Sequence, residues 1–147
     1  MKATWLYRIA AILFLLFATG HTIGFLKFVP STSEGQAVMN AMNNVHLQAG
    51  TAYTYGTFYR GFGLFVTLYM LFAAFVAWHL GELARKFPGA AGSLPWTFFG
   101  LQLVGLTLSW KYFSGPPVVF SALVTLCVGC AAFLARLSSA PASPERV

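Results

Sequence analysis

The sequence predicts an all-α integral membrane protein: a bundle of four transmembrane helices with an amphipathic interfacial segment between the first two. Three observations carry that expectation. Hydrophobic residues make up 58% of the 147-residue chain and charged residues only 8%, where a soluble domain carries about 25% charged residues. The mean hydropathy is +0.71. The apolar residues are also gathered into runs of roughly 20, the number needed to cross about 30 Å of hydrocarbon. A water-facing globule with so few charges could not cover its surface, whereas lipid accepts apolar groups and makes charges costly.

The first run covers residues 5–28 and is interrupted only by Arg8 and His21. Its start, with Lys2 and then Ala18-Thr19-Gly20, has the look of a cleavable signal peptide. The apolar stretch continues through Ile23, Phe25 and Leu26, so a retained span is expected. Residues 61–81 form the second span and carry no formal charge at neutral pH apart from whatever His79 holds. The third covers residues 95–113, with Pro95 suited to a first helical turn. Gly115-Pro116-Pro117 is a tight breaker that turns the chain into the fourth, residues 116–137, so spans three and four make a helical hairpin. All four belong to a single transmembrane domain, residues 1–147.

Between spans one and two the chain is more polar. Ser31 and Glu34 have capping-box spacing, and Val38, Met42, Val45 and Ala49 recur at helical intervals among Gln36, Asn40, Asn43 and Asn44. This predicts an amphipathic helix over residues 32–46 lying at the outer interface. Tyr53, Tyr55 and Tyr59 follow, residues suited to the headgroup level.

Basic residues set the orientation. With four spans, Lys2, Arg8, Arg85, Lys86, Arg136 and Arg146 fall on one side and Lys27, Arg60 and Lys111 on the other. The positive-inside rule then puts both termini in the cytoplasm. The formal charge of +6 is spread in ones and twos, unlike the clustered patch of a nucleic-acid-binding protein, so nucleic acid is not an expected partner.

Three stretches carry a resemblance: Gly20-His21-Thr22-Ile23-Gly24-Phe25, Phe58-Tyr59-Arg60-Gly61-Phe62-Gly63, and WKYFSGPPVVF at residues 110–120. On these the chain resembles, over nearly its whole length, a family of small uncharacterised bacterial membrane proteins. The resemblance implies the four-helix reading and a place in the bacterial inner membrane. It transfers no catalytic residue.

His21 is the first candidate for chemistry. It lies about 24 Å along its helix from Trp5, in the outer part of the membrane. Gly20 and Gly24 flank it at a spacing that lets another helix approach, so it is expected to face protein. A neutral histidine bonded to a neighbouring helix and a ligand-binding histidine are both consistent with that position. Arg60, Tyr59 and Tyr55 from the start of span two, and Trp110 and Lys111 from the end of span three, fall at a similar level, with Gln102 about two turns deeper. Cationic donors above an aromatic interior suit a lipid-like or quinone-like molecule with a polar head. The same residue types also anchor helices at interfaces with no ligand at all.

Other chemistries draw less support. His79 falls near the opposite end of the membrane from His21, roughly 20 Å away along the normal, too far for both to hold one haem. No cluster of His, Cys and carboxylate has metal-ligand spacing, and the acidic residues are Glu34, Glu82 and Glu145 alone. Cys127-Val128-Gly129-Cys130 has the form of a redox pair, but it sits among apolar residues with nothing to stabilise a thiolate, and the chain has no further cysteine. It reads as helix packing. A transport path is opposed by the lack of a mid-membrane acid. The sequence therefore points to a membrane protein that binds a lipid-like or quinone-like molecule or serves as an accessory subunit of a membrane complex. The alternative is a small membrane enzyme acting on a lipophilic substrate through His21 and Arg60. The candidate partners are membrane lipids, a second copy of the chain or a larger membrane complex.

Overall fold

The computed structural model describes residues 2–139; Met1, Glu145 and Arg146 lie outside the described residues. Among these the chain forms five helices and no strands: α1 (Lys2–Leu26), α2 (Ser33–Asn44), α3 (Tyr55–Lys86), α4 (Leu94–Tyr112) and α5 (Pro116–Ser139). Three of them, α1, α3 and α5, are long and apolar enough to cross a membrane. The α4 helix is long enough but more polar, because Thr97, Gln102, Thr107, Ser109 and Lys111 interrupt its apolar residues.

The helix ends follow local chemistry. α3 begins at Tyr55, about one and two-thirds turns before the expected start of span two. Thr54 and Thr57 cap it reciprocally: the Thr57 hydroxyl accepts from the Thr54 N–H at 2.9 Å, and the Thr54 hydroxyl accepts from the Thr57 N–H at 3.2 Å. Such an exchange satisfies donors that the first turn leaves unpaired. Its last turn carries Arg85 and Lys86, which complement the negative end of the helix dipole. At 32 residues, α3 is about 48 Å long, well over the hydrocarbon thickness. The cap of α2 falls one residue later than the sequence suggests. Thr32, not Ser31, accepts the Gly35 N–H at 3.1 Å. The Glu34 carboxyl is held below its ordinary range by a backbone hydrogen bond and by the Ser33 hydroxyl.

The chain divides into two compact units, one of Met1–Phe17 with Phe72–Val147, the other of Ala18–Leu71. The first holds the main core. Tyr7, Ala10, Ala11 and Phe14 of α1 meet Ala73, Ala74, Ala77 and Leu80 of α3, Phe98 of α4, and Val124, Val128 and Ala131 of α5. Alanine dominates this seam, and small side chains are what allow helix backbones to approach in a membrane setting. Gly81 extends it: a side chain there would press on the Thr4 carbonyl and on Tyr7. α4 and α5 form the expected hairpin. The turn between them places Gly115 at φ 67°, a conformation that glycine adopts without strain.

The bulky aromatics of α3 lie elsewhere. Phe62, Phe65, Phe72 and Phe75 are all exposed, as are Leu68 and Tyr69. Aromatic bulk thus covers the outside of the helix and alanine its inside.

In the second unit α2 has no buried residue. Its better-covered stripe is Gly35, Met39 and Met42, with Val38 and Val45 more exposed, so the helix is rotated from the apolar face expected through Val38, Met42 and Val45. The chain then makes a short hairpin. The Leu47 N–H donates to Tyr53 at 2.9 Å and the Tyr55 N–H to Val45 at 3.1 Å.

Candidate functional site

Within the unit Ala18–Leu71, the end of α1 and the start of α3 are joined by a small polar network. His21 Nε2 lies 3.1 Å from the Gly63 carbonyl oxygen. A carbonyl only accepts, so this ring nitrogen carries a hydrogen and donates. The Thr22 hydroxyl lies 2.7 Å from the Ala18 carbonyl and the Thr67 hydroxyl 3.3 Å from the Gly63 carbonyl, and the two threonine hydroxyls meet at 2.8 Å. The Phe25 ring stacks on His21 at 5.7 Å and meets Tyr59 at 5.4 Å. It rests directly on Gly63, where any side chain would overlap it.

The close approach expected at Gly20 and Gly24 is found at Gly63 instead. A Cβ at Gly20 or Gly24 would meet nothing within 4 Å. His21 does face a neighbouring helix, but its partner is a main-chain carbonyl made reachable by the missing side chain of Gly63.

Arg60 lies three residues before Gly63 and seven before Thr67, on the same face of α3. It is exposed, and among the described residues it has no hydrogen-bond or ion-pair partner. Tyr59 beside it and Tyr55 a turn earlier are about half exposed. Four of the seven predicted site residues, His21, Arg60, Tyr59 and Tyr55, therefore belong to one unit. The other three belong to the unit that holds the main core. Gln102 is buried in the α4–α5 hairpin, where its carbonyl accepts from the Thr125 hydroxyl at 3.1 Å. Trp110 is 78% exposed, and the Lys111 ammonium lies 5.2 Å from the centre of the Tyr112 ring.

The unit containing the main core holds a second polar cluster that sequence reasoning passed over. Glu82 accepts from Arg8 and Arg85, each at 2.7 Å, with Lys86 at 3.5 Å. The Arg8 guanidinium also lies over the rings of Trp78 and Trp5, at 5.1 and 5.8 Å. The spacing of Glu82 from Arg85 and Lys86 was the available signal, since residues three and four apart are neighbours on a helix. His79 donates to the carbonyl of Phe75 at 2.9 Å. Cys127 and Cys130 are free thiols. Among the described residues no group of His, Cys and carboxylate could hold a metal ion.

No family model matches the chain, and no curated protein or solved structure is similar to it.

His21→Phe separates the ring's packing from its hydrogen bond. It keeps an aromatic surface against Phe25 and removes the donor to Gly63. Thermal unfolding in detergent should show a loss of roughly 0.6–1.7 kcal/mol, the scale of hydrogen bonds between membrane helices. No loss would mean that the contact with Gly63 contributes nothing to stability.

Proposed function

We infer that the chain is a four-span protein of the bacterial inner membrane, with both termini cytoplasmic, that binds a lipid-like or quinone-like amphiphile at its outer end. α4 serves as the fourth span: Ser109 bonds Ser121 of α5 at 2.9 Å, and the hydroxyls of Thr97 and Thr107 are satisfied by carbonyls one turn back, Ser93 and Leu103. α2 lies along the outer interface, which suits a helix with no buried residue and an exposed apolar side. The inner-membrane assignment rests on the sequence resemblance and the orientation on the basic residues.

One observation carries the binding role: Arg60 is a cation with no partner among the described residues, set beside Tyr59 and one turn beyond the His21–Gly63 contact. A guanidinium there offers charge-assisted bonds to a phosphate, carboxylate or carbonyl head. His21 then acts as a structural clamp beneath the head group. Catalysis by His21 draws less support, since its proton is committed to a main-chain carbonyl. An accessory-subunit role would use the open face at Gly20 and Gly24, where a helix of another chain could approach.

The test is organic extraction of protein purified in its native lipids, with mass spectrometry of what co-purifies. A stoichiometric amphiphile should accompany the wild type, and Arg60→Ala should retain about tenfold less, the scale of one hydrogen bond to a charged group. Equal retention would sink the assignment to Arg60.

A further inference from the structure

We propose that the core-bearing unit holds a separate site, at the end carrying Arg8 and Glu82, for the phosphate head of an anionic membrane lipid. A cavity of about 340 Å³ lies there, with Tyr7, Leu80, Gly89, Gly92, Trp96 and Arg136 in its wall. The volume falls in the range of small-molecule sites. Four helices of one unit contribute to it, together with the α3–α4 connection. That connection is a turn shaped by Gly89 at φ 90° and Gly92 at φ 54°, left-handed conformations that favour glycine.

Tyr7 supplies an independent indication that something polar belongs in this wall. Its side chain is 1% exposed, and its hydroxyl is buried with no hydrogen-bond partner among the described residues. An unpaired buried hydroxyl costs free energy that a bonded ligand would offset. The other buried apolar positions among the described residues are filled without a hydroxyl, and phenylalanine would fill the Tyr7 position equally well if packing were its whole role.

Charge selects the ligand. Lys2, Arg8, Arg85, Lys86 and Arg136 gather at this end, and among the described residues Glu82 is the only carboxylate with them. Arg8, Arg85 and Lys86 are occupied by Glu82, while Arg136 stands on the cavity rim. A phosphodiester would receive charge-assisted bonds from Arg136, and it would take the Tyr7 hydroxyl once that side chain turns from its buried position behind the wall. Trp96 suits the headgroup level. This site does not depend on the role of Arg60.

The experiment titrates the full chain in neutral detergent with phosphatidylglycerol, phosphatidylcholine or inorganic phosphate, read by native mass spectrometry and thermal unfolding. Phosphatidylglycerol should be retained more tightly than phosphatidylcholine and should raise the unfolding temperature. Arg136→Gln should weaken that retention about tenfold, whereas Arg60→Ala should leave the Arg136-dependent lipid in place. Tyr7→Phe should unfold at a higher temperature than wild type without lipid, because the unpaired hydroxyl is gone, and should lose most of the lipid-dependent rise. Equal retention by wild type, Tyr7→Phe and Arg136→Gln, or no preference between the two lipids, would overturn the site. A rise from inorganic phosphate alone, matching that from the lipid, would support phosphate recognition and overturn the assignment to a lipid.

Discussion

Ala77→Leu is expected to destabilise the protein by about 2–3 kcal/mol, toward the upper end of what an overfilled core costs. Ala77 is fully buried in the seam where α3 meets α1 and α5, with Ala73, Ala74, Ala10, Ala11, Val128 and Ala131 in the same cluster. A leucine adds three carbons at a place where the neighbours are already alanine, so relief requires the helix backbones to separate. The control is Phe72→Ala on the same helix. Phe72 is 61% exposed, and its truncation should change stability by less than about 0.5 kcal/mol, as surface substitutions do. Thermal unfolding of both variants in one detergent makes the comparison. If removing the large exposed ring costs more than enlarging the small buried one, the alanine seam is not the core.

The second large effect is all-or-none labelling across the membrane. With Cys127 and Cys130 replaced by alanine, single cysteines at Ser31 and Ser93 provide two exposed reporters. Ser31 precedes α2 and Ser93 lies in the connection from α3 to α4. The inferred topology predicts that an impermeant maleimide labels Ser31→Cys from outside intact cells and Ser93→Cys only after the membrane is opened. The reverse pattern would invert the protein, and labelling of both from one side would remove α3 as a span.

Membrane character was legible because it depends on summed composition, which no tertiary detail alters. The α4–α5 turn was legible for a local reason, since Gly115-Pro116-Pro117 forces its own geometry. The start of α3 was not, because its cap is an exchange between Thr54 and Thr57 hidden inside an aromatic stretch that reads as interface. Gly20 and Gly24 show why small residues alone mislead. They permit a close approach, but the partner decides where one occurs, and the ring of Phe25 chose Gly63.

For the candidate site, the need of His21 for a helix partner could be read from its position in an apolar run. The identity of that partner could not, because a main-chain carbonyl leaves no mark in the side-chain sequence. Tyr7 was overlooked for a related reason. A tyrosine near the end of a span looks like an interfacial anchor, and only the packed helices show it buried.

The binding role is tested most directly by a high-resolution density map of the protein purified in native lipids with no ligand added. The result expected is elongated density beside Tyr59, with its polar end within hydrogen-bond reach of the Arg60 guanidinium. An Arg60 satisfied by protein carbonyls or by water, at an outer end with no such density, would contradict the account and favour a structural or accessory role for the chain.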